Sequence, residues 1–336
     1  MRVKVLSTGR FSDAQLERLR LVSSRLQIEQ VPTNDWTELE GRLDEVEVLY
    51  TYRVPAGWSG APNLRWIQLG SAGLNALTGH PLLENGDVRV TTASGIHAVP
   101  IAEYVMASMV AFSRGFPMLL ERQRRAEWAG WQATQSHSRE LRGATLGIVG
   151  YGSIGREVAR LACAYGMRVL ALKRDPAVRR DRGYAEPGVG DPEGRLPDQW
   201  YGPAQLHQLL TSCDYVVISV PLTPATRGMI DAQALRAMKP DAYLVNIARG
   251  PIIVERDLIQ ALKEGWIAGA GLDVFDEEPL PAGSALWRLD NVILTPHAAA
   301  ATPPYDERAS VLFAENLRRY LAGESLLNEV NPALGY

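Results

Sequence analysis

Thr145-Leu-Gly-Ile-Val149, Gly150-Tyr-Gly152-Ser-Ile-Gly155, Arg156-Glu-Val-Ala-Arg-Leu-Ala-Cys-Ala164 and Arg168-Val-Leu-Ala-Leu172 form one stretch whose reading decides the fold. An apolar run, a glycine turn, an amphipathic helix and a second apolar run make a β-α-β unit. Gly150 permits a tight turn, Gly152 lets a pyrophosphate approach the backbone, and Gly155 lets the helix pack close to the strand. The N–H groups of Ser153 and Ile154 would face the phosphates at the positive end of the helix. The glycine pattern alone is weak; a strand before it and a helix after it supply the context that makes it a dinucleotide site.

The end of the second strand reads the ribose. NAD-binding versions carry a carboxylate about 20 residues on, for the 2′-hydroxyl. Here the position holds Lys173 and Arg174. Cations attract a 2′-phosphate and a carboxylate repels it, so the sequence predicts NADP in preference to NAD. The alternative is that both cations are solvated and Asp175 supplies the carboxylate.

Outward from this unit, apolar runs at 2–6, 46–51, 64–69, 88–92, 214–220, 242–247, 267–272 and 291–294 read as strands. Ser12 and Gln15 form a capping box that opens a helix carrying Leu16, Leu19 and Leu26. A single long helix is expected over 100–126, with helices near 204–211, 231–238, 255–263 and 305–322. Alternating β and α elements imply parallel sheets covered by helices. Residues 175–203, with five Pro and five Gly, read as an exposed insertion.

The chain has 336 residues, 46% apolar and 22% charged. At about 150 residues per domain this suggests two domains, and it excludes a disordered chain. Thirty-five Lys and Arg against 38 Asp and Glu give a net charge of −3, so nothing drives phosphate-backbone binding and no nucleic acid partner is expected. Cys163 and Cys213 stand apart and read as structural thiols; no metal site is suggested. No signal-peptide core and no membrane-length apolar run is present, which predicts a cytoplasmic protein without membrane contact.

The C-terminal half places three chemistries on strand-terminal loops, where open α/β sheets bind ligands. Asn246-Ile-Ala-Arg249-Gly250 carries a cation, Gly271-Leu-Asp273-Val-Phe-Asp-Glu277-Glu278-Pro279 carries carboxylates, and Thr295-Pro296-His297 carries an imidazole. His80, His137 and His207 lack such context and read as surface residues, whereas His97 falls near the start of the long helix and could border the site.

With Gly70-Ser-Ala-Gly73, Glu140 to Gly155 and Pro221 to Ile230, these residues make the sequence resemble the D-isomer-specific 2-hydroxyacid dehydrogenase family over nearly the whole chain. The resemblance implies a Rossmann cofactor domain, about 99–298, inserted into a flavodoxin-like substrate domain, 1–98 with 299–336. Both are doubly wound parallel-sheet α/β units, and the active site is expected between them. It implies hydride transfer between NAD(P)H and a small 2-oxo acid, giving a D-2-hydroxy acid as glyoxylate and hydroxypyruvate reductases do, and a homodimer. His297 matches the acid/base, Glu278 its carboxylate partner and Arg249 the substrate arginine. Asp273 matches the acid at the nicotinamide amide, with Pro221, Thr226 and Ala248 as further cofactor contacts. The N–H groups of Ser71, Ala72 and Gly73 match the loop that holds the substrate carboxylate. Tyr52 and Arg53 end a strand where a substrate side chain would point, and Trp128 and Trp131 are candidates for a subunit contact. Ala298 to Ala301 depart from the family's glycine-containing run, so the pocket wall is small and apolar. A non-catalytic, cofactor-sensing regulator of corepressor type is the alternative on the same scaffold.

Overall fold

The structure is a computed structural model that describes residues 2–58, 60–74, 77, 80–84, 86–136 and 138–331. The chain forms two compact units: residues 1–97, 182–186 and 302–336, and residues 98–181 and 187–301.

The first unit holds a five-stranded parallel sheet in the order β2-β1-β3-β4-β5. The strands are β1 (Val3–Ser7), β2 (Leu26–Gln30), β3 (Val48–Thr51), β4 (Trp66–Leu69) and β5 (Arg89–Thr91). Helix α1 (Asp13–Leu21) starts at the capping box, with Ser12 and Gln15 satisfying each other's backbone. It ends at Leu21, so Leu26 belongs to β2 and not to the helix. The C-terminal helix, Tyr305–Ala322, buries Phe313 and Leu317 against Trp66, Tyr50 and Leu19. A short helix, α2 (Pro81–Glu84), lies between β4 and β5.

The second unit holds a seven-stranded parallel sheet in the order β12-β11-β10-β9-β6-β7-β8. These are β6 (Thr145–Val149), β7 (Arg168–Leu172), β8 (Gln199–Tyr201), β9 (Tyr215–Ile218), β10 (Tyr243–Asn246), β11 (Gly269–Leu272) and β12 (Val292–Leu294). The order reverses at β6, between β7 and β9, which puts the glycine turn after β6 at the crevice where such sheets take ligands.

The expected long helix is two: α3 (Ala98–Ser113) and α4 (Phe116–Arg124), followed by α5 (Trp131–Ser136). Gly115 between them adopts a left-handed φ of 67°, a conformation glycine takes without strain and one that stops a helix. Helix α6 (Ser153–Ala164) lies beside α3; Val105, Met106 and Met109 share a core with Ile148, Val158 and Ala159. On the other face, α7 (Leu206–Leu210), α8 (Ala232–Ala237) and α9 (Glu255–Glu264) bury Leu209, Leu235 and Leu258 against Val216, Leu244 and Ala270.

The insertion is largely exposed, as expected, but it is anchored at defined points. Asp191 is buried, and its carboxylate accepts from the Tyr151 hydroxyl at 2.8 Å and from the N–H groups of Arg195 and Leu196. Buried Arg156 donates to the carbonyls of Asp191 and Arg179. Residues 182–186, expected within the 99–298 block, belong to the first unit. There the Tyr184 N–H bonds Asn328 Oδ1 at 3.1 Å, and Glu186 pairs with Arg308 at 2.7 Å.

Both cysteines are free thiols. Burial pushes the Cys213 thiol up to about 12, which keeps it protonated. Among the described residues, no helix is long and apolar enough to cross a membrane.

Candidate active site

The glycine turn has the local geometry a dinucleotide needs. Gly150 has φ 105°, and a Cβ there would meet the Ser219 carbonyl carbon at 2.7 Å. A Cβ on Gly155 would run into the Gly150 carbonyl oxygen, so any side chain would push α6 off the sheet. A Cβ on Gly152 would meet nothing within 4 Å; the backbone is open on that side, with Ser153 and Ile154 opening α6 behind it. The residues present therefore fit a pyrophosphate.

At the end of β7, the Lys173 ammonium donates to the Val178 carbonyl. Arg174 is exposed. Asp175 Oδ1 accepts the Ala177 N–H at 3.0 Å, closing an Asx turn on itself. The Thr226 hydroxyl donates to the Pro221 carbonyl at 2.6 Å and accepts the Thr223 N–H at 2.8 Å, closing the turn after β9.

Three loops at the carboxyl ends of β10, β11 and β12 carry the polar machinery. Asn246, buried at the end of β10, accepts the Ala248 N–H at 3.1 Å and donates to the Arg249 carbonyl at 3.1 Å, fixing the turn that presents Arg249. The Arg249 guanidinium donates to the Ala248 carbonyl at 2.6 Å. Burial lowers its pKa and the Glu278 charge opposes that shift.

Asp273, buried at the end of β11, accepts from the Thr295 hydroxyl at 2.6 Å and from the N–H groups of Ala298 and Ala299 at 2.8 and 3.0 Å. Its carboxylate organises the loop on either side of His297. A carboxylate has about four acceptor positions, so three bonds leave room for one more. The His297 N–H bonds the Asp273 carbonyl at 2.9 Å, and His297 takes a left-handed φ of 52°. That conformation is uncommon for a residue with a side chain.

These constraints bring His297 Nδ1 to 2.7 Å from Glu278 Oε2. Glu278 Oε1 accepts the Phe275 N–H at 3.0 Å. Burial works to raise the Glu278 pKa. The His297 hydrogen bond, the Phe275 N–H and the charges of His297 and Arg249 outweigh it, leaving the carboxyl below its ordinary range. The structure thus brings the Glu278 carboxylate to the His297 imidazole, with the Arg249 charge near enough to act on the carboxyl.

In the first unit, Tyr52 and Arg53 follow β3 and Gly70 follows β4. The Tyr52 ring lies where a Cβ on Gly9 or Gly70 would be, and its hydroxyl donates to Asp306 at 3.2 Å. The Ser71 carbonyl accepts the Ala93 N–H at 2.9 Å and the Gly70 N–H bonds the Thr51 carbonyl at 2.9 Å. Among the described residues, no acceptor takes the N–H of Ser71 or Ala72.

Among the remaining histidines, His80 is buried, contrary to its surface reading. Its Nε2 is 2.9 Å from the Pro55 carbonyl and its Nδ1 accepts the Leu82 N–H. His207 is exposed, and His137 lies outside the described residues. His97 is buried with its ring 5.0 Å from that of Tyr305. Trp128 and Trp131 are 96% and 79% exposed. The sequence assigns no role to Asn246, Phe275 or Tyr305; Asn246 alone has a local signal, an amide at a strand end three residues before Arg249.

A model of the family described as "D-isomer specific 2-hydroxyacid dehydrogenase, NAD binding domain" matches residues 106–299. The chain is 37% identical over 275 residues to a glyoxylate reductase from Korarchaeum cryptofilum, covering 82% of this chain and 78% of that one. It is 38% identical over 260 residues to an (S)-sulfolactate dehydrogenase from Chromohalobacter salexigens, covering 77% and 78%. The crystal structure of a D-isomer specific 2-hydroxyacid dehydrogenase from Xanthobacter autotrophicus Py2, in complex with NADPH and MES, superposes with a TM-score of 0.81 at 32% identity, covering 100% and 99%.

Proposed function

The chain belongs to the D-isomer specific 2-hydroxyacid dehydrogenase family; from that premise we propose that it reduces a small 2-oxo acid of the glyoxylate or hydroxypyruvate kind to the D-2-hydroxy acid, with NADPH preferred. The observation that carries the reading is the 2.7 Å contact between His297 Nδ1 and Glu278 Oε2. It commits one ring nitrogen to the protein and leaves Nε2 for substrate.

The glycine turn at 150–155, the Pro221–Thr226 turn, Ala248 and Asp273 hold the nicotinamide cofactor. When bound, that cofactor supplies or takes up the hydride. Negative charge then grows on the keto oxygen, and His297 delivers a proton to it from Nε2. Glu278 fixes the imidazole and favours its charged form. Arg249 presents a planar fork to the keto oxygen and carboxylate, and the N–H groups of Ser71, Ala72 and Gly73 take the carboxylate. In the reverse direction neutral His297 is the base. Residues 1–97 with 302–336 serve as the substrate domain and 98–301 chiefly as the cofactor domain. Tyr52 and Arg53 border the substrate's tail.

NADPH is favoured by Lys173 and Arg174 after β7 and by the Asx turn that occupies Asp175. The relatives named above are reductases and dehydrogenases, which supports an enzyme over a corepressor-type regulator. Exposed Phe116, Leu120, Trp128 and Trp131 support a homodimer, and the two reduced thiols support a cytoplasmic location. The test is absorbance at the nicotinamide band, with NADH and NADPH, against a panel of 2-oxo acids. Turnover on glyoxylate or hydroxypyruvate, faster with NADPH, is expected; no turnover on any 2-oxo acid overturns the reading.

A further inference from the structure

The Tyr305 hydroxyl donates to the Gly70 carbonyl at 2.7 Å. Tyr305 opens the C-terminal helix, far from Gly70 in the chain, and nothing in the proposed chemistry uses it. We infer that Tyr305 is a positioning residue: by binding the Gly70 carbonyl it orients and polarises the Gly70–Ser71 peptide, so that the Ser71 N–H becomes a donor to the substrate carboxylate. This rests on the reading of the 70–73 loop as the carboxylate site.

A trans peptide is planar, with its carbonyl and N–H pointing in opposite directions. Fixing the Gly70 carbonyl therefore fixes where the Ser71 N–H points. The next peptide repeats the arrangement, since the Ser71 carbonyl accepts the Ala93 N–H at 2.9 Å. Two successive peptides thus have their carbonyl ends bound to donors. Their N–H ends, on Ser71 and Ala72, have no acceptor among the described residues. Successive free N–H groups make an anion-binding concavity, and a donor at the carbonyl end strengthens the N–H donor at the other.

The phenol is rigidly held for this task. Its ring meets His97 at 5.0 Å between centroids. The helix that bears it is tied to α1 through Arg18, which pairs with Glu307 and donates to Ser310 Oγ at 2.7 Å. Burial pushes the Tyr305 phenol well up, with Tyr52 and Asp306 adding to the shift. It remains a donor at any working pH and is not a proton-transfer group.

The test is Tyr305→Phe, assayed with glyoxylate and NADPH, with oxamate and oxamide as inert probes with and without a carboxylate. One lost hydrogen bond should raise the glyoxylate KM and the oxamate inhibition constant together, by about 3- to 10-fold. kcat at saturating glyoxylate and the KM for NADPH should hold, with only a small drop in the thermal midpoint from the lost bond. An unchanged oxamate constant, or a fall in kcat with KM unmoved, overturns the role of Tyr305 and leaves the carboxylate loop standing. Equal inhibition of the unaltered enzyme by oxamate and oxamide overturns the loop reading and this inference with it.

Discussion

His297 Nδ1 and Glu278 Oε2 lie 2.7 Å apart although each belongs to a different strand-terminal loop. Neither loop is free to drift. The first is pinned by the Phe275 N–H on Glu278 Oε1, the second by three bonds to the Asp273 carboxylate. The imidazole is therefore aimed by backbone geometry before any ligand arrives, the kind of preorganisation that lowers the cost of proton transfer.

Glu278→Gln keeps the size of the side chain and removes its charge. kcat should fall by about 100-fold or more, in the range of a lost general acid–base function, while the affinity for NADPH stays within about twofold because no part of the glycine turn is touched. Because the carboxyl titrates below its ordinary value of 4.5, it stays ionised as the pH falls from 7 to 5. Lowering the pH over that range should not reproduce the effect of the substitution. Steady-state kinetics and cofactor titration across that range check both statements.

Gly250→Ala tests how the dyad is held. A Cβ at Gly250 would collide with the backbone of Phe275 and Asp276, and that backbone cannot rotate out of the way as a side chain could. The 273–278 segment must shift, at a cost of about 1–3 kcal/mol as for other overpacked sites, and Glu278 shifts with it. The thermal midpoint and kcat should fall together, in contrast to Glu278→Gln, which should lower kcat with little change in the midpoint.

The parts of this molecule legible in the sequence are those whose chemistry is local. The glycine turn, the capping box at Ser12 and the three strand-terminal motifs each state a backbone requirement within a few residues. Two of the edge strands, β2 and β8, do not: Leu26–Gln30 and Gln199–Tyr201 are held by neighbours in the sheet more than by their own pattern. Gly115 looks like a tolerated helix glycine until its left-handed backbone is seen. His80 is buried because Pro55 offers a carbonyl, and Tyr305 matters because Gly70 does. Both pairings are made by tertiary structure and leave no periodicity. Likewise Asp273 reads as a ligand residue, yet most of its hydrogen bonding holds the His297 loop.

Asp214 offers a stability test with a defined pH sign. Its carboxylate accepts from Lys239 Nζ and from the Thr145 N–H, each at 2.7 Å, where β6 begins. Burial works to raise its pKa, but the Lys239 hydrogen bond and the Thr145 N–H bring it below its ordinary value of 3.8. A carboxyl lowered on folding adds stability above its unfolded pKa and loses it as the pH falls through the folded value. Asp214→Asn should therefore cost about 1 kcal/mol at pH 7, and the gap should close toward pH 3. Urea unfolding of both proteins at pH 7, 5 and 3 checks this; a gap that is constant with pH would remove the electrostatic explanation.

The proposed preference for NADPH rests on the basic pair after β7. If Lys173 and Arg174 receive a 2′-phosphate, removing them should act on NADPH alone, because NADH presents only a hydroxyl there. Hydrogen bonds to charged groups contribute about 1.5–3 kcal/mol, so Lys173→Ala/Arg174→Ala should raise the NADPH KM by roughly 10- to 100-fold. NADH should change by less than about threefold, since the two cofactors are the same apart from the 2′-phosphate. Arg174→Asp goes further, placing a carboxylate where NAD enzymes carry one, and should reverse the preference. The Asx turn gives the same argument from the other side. Asp175 already spends Oδ1 on the Ala177 N–H, so Asp175→Asn, which keeps that acceptor, should leave the NADH KM unchanged. A large rise in the NADH KM in that variant would mean that Asp175 holds the ribose hydroxyls, and would return the site to NAD.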